Sequence, residues 1–335
     1  MRLRRILAVA IALAAALSIA AVFYYDRWLD RPLTLTEPRI VEILPGDSSS
    51  TVADRLVQAG LIDRPELFVL HARLTQRAER IRAGEYRIDR GHTPRRMLAD
   101  FVAGRVVSYD VRILEGWTLR DVLATLRATP KLIDDLEGAT AENLLEALGL
   151  GQGSGEGLFF PDTYHYTKGT TMSSILRAAH ARMASILATA WEGRAPDLPF
   201  ASPYDALVLA SIVEKETGLD ADRDKVSRVF VSRLQRGMRL QSDPTVIYGL
   251  GTAFDGNLTR AHLDADGPYN TYRRGGLPPT PIALPGRASI DATLHPAEGD
   301  YLYFVARGDG SSEFSPTLEA HVAAVRRFQL KGASP

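Results

Sequence analysis

The sequence predicts an α+β protein in three parts: one transmembrane helix, a small α+β module, and a larger helix-rich α+β domain. Three observations predict this organisation. A long apolar run opens the chain, strand and helix patterns alternate between residues 39 and 115, and helical patterns dominate from there to about residue 240. A chain of 335 residues is long enough for such a division.

The first part, residues 1–30, has the properties of a membrane anchor. Three arginines lie among the first five residues, and residues 6–25 are apolar apart from Ser18. About 20 such residues rise ~30 Å as a helix, which is enough to cross the hydrocarbon core of a bilayer. The arginines favour a cytoplasmic N-terminus, and the following Phe-Tyr-Tyr-Asp-Arg-Trp is a poor cleavage site for a signal peptide. We therefore expect a retained single-pass anchor, with the rest of the chain outside the cytoplasm.

The second part, residues 39–115, follows a short proline-containing tether at residues 31–38. It begins with an alternating strand pattern that stops at a Pro-Gly-Asp turn signal, after which serines can cap a helix. Further helix and strand patterns complete a module of about 75 residues, well within the size range of a small domain. The strand, turn and helix resemble a LysM module, which binds N-acetylated glycans. The alternative is a packing domain without a ligand.

Composition excludes several classes of function. Lys+Arg and Asp+Glu both total 40, so no net positive charge attracts nucleic acid. The absence of cysteine excludes disulfides, thiolate metal sites and cysteine nucleophiles. The histidines are scattered without i,i+4 pairs, so we expect neither a metal nor a cofactor. The glycine-rich residues 151–157 lack the Gly-Lys-Ser/Thr of a phosphate loop, and we interpret them as a flexible interdomain connection.

The third part, residues 116–335, contains a helix with strong boundary signals. Ser202 and Asp205 can form a capping box around Pro203 at the first helical position, and Gly218 is placed to end the helix. Most residues between these boundaries are apolar. We therefore predict a buried helix.

Two glutamates lie in the last turn of this helix, and they point to different faces because they are two positions apart. Glu216 continues the apolar stripe of Leu209, Ile212 and Val213, whereas Glu214 lies on the more polar side. Burial and the carbonyl dipoles of a helix C-terminus both disfavour a carboxylate, so the pKa of Glu216 should rise. A general acid working near neutral pH needs such a shift. The alternative is an ordinary solvated helix end with neighbouring charges of opposite sign.

Several strings in this part combine amide and hydroxyl side chains with turn-forming residues. Such side chains suit a carbohydrate groove, in which each sugar hydroxyl or acetamido group needs a positioned partner. The strings are Ala-Ser-Ile-Val-Glu-Lys-Glu-Thr at 210–217, Arg-Leu-Gln-Ser-Asp-Pro-Thr-Val-Ile-Tyr-Gly at 239–249, Tyr-Asn-Thr-Tyr at 269–272 and Gly-Leu-Pro-Pro at 276–279.

Together these strings resemble the MltG (YceG-like) family of endolytic murein transglycosylases. Glu-Gly-Leu-Phe-Phe-Pro-Asp-Thr-Tyr at 156–164 and Tyr-Leu-Tyr-Phe at 301–304 are similar to the family as well, as are the single anchor and the LysM-like module. The resemblance covers nearly the whole chain. It implies that the third part is the catalytic domain and is distantly lysozyme-like.

The resemblance also implies a mechanism. Glu216 would protonate the glycosidic oxygen between N-acetylmuramic acid and N-acetylglucosamine, and would then accept the proton of the muramic 6-hydroxyl as that group attacks C1. The product is a 1,6-anhydro end, and one carboxyl serves as acid and then as base. Glu214 is the alternative acid. The other supporting or substrate-binding residues implied are Gln241, Tyr269, Asn270 and Tyr272.

The implied substrate is nascent peptidoglycan, whose strand elongation the cleavage would terminate. The implied location is the cytoplasmic (inner) membrane, crossed by one helix, with a periplasmic or extracytoplasmic catalytic domain and wall-synthesis proteins as possible neighbours. Two alternatives stay open. The first is a non-catalytic peptidoglycan-binding scaffold of the wall-synthesis machinery. The second is a muramidase, which uses water and gives reducing ends.

Overall fold

The computed structural model describes residues 2–329 and divides them into two compact units. The first unit comprises the chain up to Tyr109 together with His165–Gly169. The second comprises Asp110–Tyr164 and the chain from Thr170 onward. The glycine-rich residues 151–157 lie inside the second unit, so their interpretation as an interdomain connection is wrong.

The first unit begins with a long N-terminal helix and continues as a small α+β module. Among the described residues, the helix α1 is the one long and apolar enough to cross a membrane, and its most apolar stretch is not buried. The strands β1 and β2 pair antiparallel, with Val41 opposite Tyr86. The predicted strand and helix pattern of the module is confirmed. Its elements are α1 (Arg2–Leu29), β1 (Arg39–Ile43), α2 (Ser49–Gln58), α3 (Pro65–Leu74), β2 (Gly84–Ile88) and α4 (Pro94–Ala103).

The last turn of α1 belongs to the core of the first unit. Trp28 is 5% exposed and Leu29 is fully buried, in one apolar cluster with Phe68 and Phe101. The indole N–H of Trp28 donates to the carboxylate of Asp63 at 2.8 Å. The N-terminal helix and the folded module are therefore continuous, because Leu29 at the end of α1 is itself part of the core.

This continuity predicts where a soluble form can begin. A chain begun at Phe23 should unfold at a clearly higher temperature than one begun at Arg31, because the shorter chain loses the buried Trp28 and Leu29. Removing a buried tryptophan side chain typically costs about 3–5 kcal/mol. Thermal unfolding monitored by circular dichroism measures the difference. In the longer chain, Trp28→Ala should reproduce most of the loss and Tyr24→Ala, at a position 53% exposed, should not.

The second unit is helix-rich, with short strands that include one antiparallel hairpin. The hairpin pairs Phe304 with Phe314. Chain boundaries between the units fall within the strands β3 and β4. The elements from residue 109 on are β3 (Tyr109–Arg112), α5 (Leu119–Ala128), α6 (Leu144–Ala147), β4 (Thr163–Tyr166), α7 (Met172–Glu192), α8 (Pro203–Glu216), α9 (Asp220–Gln235), α10 (Asp243–Leu250), α11 (Arg260–Asp264), α12 (Arg287–Leu294), β5 (Tyr303–Ala306), β6 (Ser312–Ser315) and α13 (Leu318–Phe328).

Helix α8 is the central element of the second unit. It packs against α7, α9, α10 and α12, and every residue from 206 to 213 is buried. The capping box of Ser202 and Asp205 forms as predicted. The helix ends when Thr217 turns to an extended conformation, and Gly218 after it does not adopt a left-handed one. The prediction of a buried helix is confirmed.

Candidate active site

The last turn of α8 presents three consecutive charged side chains to three different surroundings. Lys215 donates from Nζ to the carbonyl oxygen of Gly116 at 3.1 Å. Glu214 accepts the backbone N–H of Gly286 at 2.9 Å. Glu216 accepts a hydrogen bond from the hydroxyl of Ser242 at 2.5 Å. The triplet is therefore more than a solvated helix end, because the two glutamates are part-buried and each of the three side chains, including the exposed Lys215, has a specific partner.

Glu214 stabilises the start of another helix. Gly286 is the N-cap of α12 and has no side chain of its own to cap it. The carboxylate of Glu214 accepts the N–H of this N-cap residue, which is one of the unpaired donors at a helix start, and a negative charge at a helix N-terminus is favourable. Burial, and next to it the charge of Glu214, raises the pKa of the neighbouring Glu115. The geometry gives Glu214 a structural contact.

Glu216 lines a cavity of about 470 Å³, at the rim of the apolar cluster formed by α8, α9 and their neighbours. Burial raises the pKa of Glu216 to about 7, the nearby charge of Asp243 acts in the same direction, and the Ser242 bond and Arg233 oppose them. A carboxyl whose pKa is near neutral is protonated in a substantial fraction of molecules at pH 7. Glu216 has the property that a general acid requires.

Ser242 is positioned for Glu216 rather than for its own helix. It is the N-cap residue of α10, yet its hydroxyl makes no capping bond to that helix. The hydroxyl reaches Glu216 instead, while its backbone N–H is bound by the hydroxyl of Thr271. Sequence reasoning missed Ser242. The only signal in the sequence was a serine directly before the Asp-Pro that starts a helix. By itself this pattern predicts an ordinary N-cap.

Other polar side chains line the Glu216 cavity, among them Gln241, Asp243, Tyr272 and Arg233. Gln241 is exposed and has a left-handed backbone with φ of 54°, a conformation uncommon for residues other than glycine. Tyr272 donates its hydroxyl to Asp243 at 2.6 Å. Arg233 is 7% exposed, binds the carbonyl oxygens of Leu240 and Leu302, and lies under the ring of Tyr303. Of the predicted site residues, the structure brings Gln241 and Tyr272 together with Glu216.

Two other predicted residues lie elsewhere. Tyr269 lines a separate cavity and bonds through its hydroxyl to Thr280. Asn270 is 5% exposed, and its amide N–H groups donate to three backbone carbonyls, at 2.6 Å to that of Ala265. Its amide oxygen accepts the backbone N–H of Tyr272. The polar atoms of Asn270 are thus occupied by the last turn of α11 and the loop after it, which they hold together.

A second buried carboxyl belongs to Glu156, which sequence reasoning missed. It is 3% exposed and accepts hydrogen bonds from the backbone N–H of Leu119 at 2.9 Å and from the hydroxyl of Tyr248 at 3.1 Å. Burial raises its pKa to about 7, against the effect of both bonds. The signal in the sequence was one acidic residue between glycines, directly before an apolar Leu-Phe-Phe.

A metal site is not formed by the residues that the structure describes. Within residues 2–329, no three His, Asp or Glu side chains are grouped so that they could hold an ion. The chemistry that this arrangement offers is proton transfer by a carboxyl in a polar cavity.

Comparisons with known proteins show what the chain is similar to. The model of the YceG-like family matches residues 41–327. An endolytic murein transglycosylase of Bacillus subtilis is 30% identical, over 93% of this chain and 91% of that protein. A protein of the same name from Streptococcus pneumoniae is 27% identical over 87% of this chain, which spans 59% of that longer protein. A crystal structure of a yceG-like protein from Listeria monocytogenes matches with a TM-score of 0.52 and 30% identity, over 86% of this chain and 99% of that one.

Proposed function

The chain belongs to the YceG-like family, and on this premise we propose that it is an endolytic murein transglycosylase, a lyase that cuts peptidoglycan glycan strands internally. The relatives that carry this name match most of the chain. The observation that carries the proposal is the Glu216 cavity, in which one carboxyl with a near-neutral pKa faces polar side chains. We assign Glu216 as the catalytic acid and then the base.

The bond cleaved is the β-1,4 bond from N-acetylmuramic acid to N-acetylglucosamine. Protonated Glu216 gives its proton to the glycosidic oxygen, and the leaving N-acetylglucosamine keeps both bonding electrons as its hydroxyl group. The muramic 6-hydroxyl bonds to C1 and loses its proton to the Glu216 carboxylate, which restores the acid. No water is consumed, and intramolecular attack gains from proximity. A single carboxyl therefore suffices, whereas most glycosidases need two.

The contacts of Glu216 support this assignment. Because Ser242 donates to Oε1, the proton of the neutral acid is held on Oε2, where it is available for transfer. The buried guanidinium of Arg233 stabilises the carboxylate formed after the first step. Gln241 and Tyr272 at the cavity wall are the residues we assign to contacts with sugar hydroxyl or acetamido groups.

Location and partners extend the proposal. The exposed apolar surface of α1 supports a single-pass anchor in the cytoplasmic membrane, with the N-terminus inside and the chain after α1 on the outer face. We assign glycan binding to the LysM-like module at residues 39–115. An enzyme held in this way acts on nascent strands close to the wall-synthesis proteins and terminates their elongation. The distant likeness of the catalytic domain to lysozymes stays a prediction.

Product analysis tests the proposed reaction. Purified glycan strands incubated with the detergent-solubilised chain should give fragments with 1,6-anhydro ends, detected by mass spectrometry. Reducing ends that carry heavy oxygen from labelled water would identify a muramidase instead. Strands that bind but stay intact would identify a scaffold.

The pKa of Glu216 predicts the pH dependence of cleavage. The protonated form is the active one, so kcat/KM should be constant at acidic pH and fall about tenfold per unit as pH rises above about 7. An unshifted glutamate would place this decline about two to three units lower. Initial rates of anhydro-end formation between about pH 5 and 9 measure it.

Glu156 titrates in the same range, which calls for a control. The decline above pH 7 should persist in Glu156→Gln, because that carboxyl does not transfer the proton. If the decline of kcat/KM disappears in Glu156→Gln, it is caused by the titration of Glu156, and its assignment to the titration of Glu216 is wrong.

A further inference from the structure

Two segments of the second unit each contribute to two different cavities. Helix α10 places Asp243, at its start, in the Glu216 cavity and Tyr248, near its end, in a second cavity. The two residues are five positions apart on the helix, which is a rise of about 7.5 Å along the axis. The following loop repeats the arrangement, since Tyr272 lines the Glu216 cavity and Tyr269 lines the second one. The two cavities therefore lie next to each other, along α10 and the loop at residues 269–272.

The second cavity has a volume of about 710 Å³, within the range of small-ligand sites. Tyr248 and Tyr269 form an edge-to-face pair in its wall, with ring centroids 4.9 Å apart. Their close approach depends on Gly249, where an added Cβ would lie 3.1 Å from the Cβ of Tyr269. The cavity wall thus combines aromatic rings with phenolic oxygen atoms.

Glu156 is built into the base of this cavity. Its carboxyl binds the hydroxyl of Tyr248 on one side and the first helical N–H of α5, that of Leu119, on the other. Tyr248 donates to Glu156 and interacts with the hydroxyl of Thr280, and a phenolic oxygen with two lone pairs keeps one for a donor from a ligand. A buried carboxyl is costly, and its retention here is explained by holding Tyr248 in one orientation.

We propose that this second cavity is a saccharide subsite of the same glycan groove, in which Tyr248 and Tyr269 contact an uncharged sugar unit and Glu156 is a positioning residue for Tyr248. The proposal rests on the proposed function, because it takes a glycan as the substrate. It adds a binding position beyond the residues around Glu216.

The charges of the cavity favour a sugar over a phosphate or an acidic peptide. Its wall carries one cation, Arg120, together with the acidic side chains of Asp121 and Glu142. An anionic ligand would face more negative than positive charge there. Aromatic rings beside hydroxyl and carboxylate acceptors match the apolar faces and hydroxyl edges of a sugar ring.

Binding measurements on the full chain in detergent test the subsite. A Glu216→Gln background prevents cleavage, and the probes are peptide-free glycan strands fractionated as tetrasaccharide and octasaccharide. In this background, Tyr248→Ala should raise the Kd for the octasaccharide about tenfold, the scale of one lost aromatic contact. The length-dependent gain, which is the ratio of the Kd for the tetrasaccharide to the Kd for the octasaccharide, should therefore decrease. The matched control is Tyr301→Ala, a tyrosine outside both cavities, which should leave this gain unchanged.

Glu156→Gln tests the positioning role. It should reduce the same length-dependent gain about threefold, while Tyr248→Ala combined with Glu156→Gln should be no weaker than Tyr248→Ala alone. Additive losses in the double variant would contradict a role through Tyr248. A melting temperature close to that of the Tyr301→Ala control shows that a loss of affinity is not a loss of fold.

The subsite is overturned if Tyr248→Ala leaves the length-dependent gain intact, or if only peptide-bearing strands lose affinity. The failure of the proposed function has a different signature. If Glu216→Gln still releases anhydro-ended fragments, the catalytic assignment is wrong, whereas the dependence of affinity on strand length is still measured from initial binding, before products accumulate.

Discussion

Glu216→Gln is expected to abolish the release of anhydro-ended fragments, with a fall in rate of at least about a thousandfold. The amide has nearly the shape of the acid, but it has no proton to give to the glycosidic oxygen and cannot accept that of the 6-hydroxyl. Loss of both transfers exceeds the loss of one general acid, which alone is worth about 10²–10⁴ in rate. Mass spectrometry of products from purified strands measures the effect.

The variant should keep its fold. Ser242 still has an oxygen acceptor in the glutamine, and an uncharged amide does not carry the desolvation cost of a carboxylate. Above pH 7 the melting temperature should therefore equal or exceed that of the unaltered chain. The sign follows from the raised pKa, because a carboxyl that is protonated more readily in the folded state destabilises that state as pH rises from about 4.5 to about 7.

Glu214→Gln is the matched control on the same helix turn. It weakens the cap of α12, at a cost of about 0.5–1 kcal/mol, and should leave cleavage within a fewfold of the original rate. Cleavage that is retained in Glu216→Gln and lost in Glu214→Gln would reverse the assignment of the two glutamates.

Asn270→Ala is expected to have the second-largest effect, this time on stability. Three backbone carbonyls lose their donor and the N–H of Tyr272 loses its acceptor, in a side chain that is 5% exposed. Unsatisfied buried groups cost about 1–3 kcal/mol each when they stay dry. Since water reaches part of the loop once it loosens, we expect a total loss of about 3 kcal/mol. Cleavage should fall as well, because the loop carries Tyr269 and Tyr272 into both cavities.

Denaturant unfolding of the detergent-solubilised chain measures this loss. Asn257→Ala, at an exposed turn position, is the matched control and should change the free energy of unfolding by less than about 0.5 kcal/mol. A variant that keeps the stability of the original chain and loses only affinity for glycan would show that Asn270 binds the substrate directly, as the family resemblance implies.

Local sequence signals were sufficient for most of the secondary structure. The strand at Gly84–Ile88, the helix opened by Ser202 and the apolar N-terminal helix all follow from periodicity, caps and breakers, which act within a few residues. The same helical geometry separated Glu216 from Glu214, because an angle of about 200° between two positions is a local property. The packing of the last turn of α1 could not be predicted, since a hydropathy pattern does not show that Trp28 and Leu29 lie in a core.

The partners of the carboxyl groups were decided by the tertiary structure. Ser242 reaches Glu216 across 26 positions of sequence, and Tyr248 reaches Glu156 across 92. No local rule relates residues so far apart, because their proximity results from the packing of whole helices. For the same reason Asn270, a plausible sugar ligand in the sequence, is held by carbonyls of its own loop, and Tyr269 faces a different cavity from Tyr272. The sequence by itself determined the apolar N-terminal helix, the buried helix α8 and the face of α8 on which Glu216 lies. Burial and long-range contacts, which exist only in the folded chain, decided that Glu216 and Glu156 both titrate near pH 7 and which residues surround each of them.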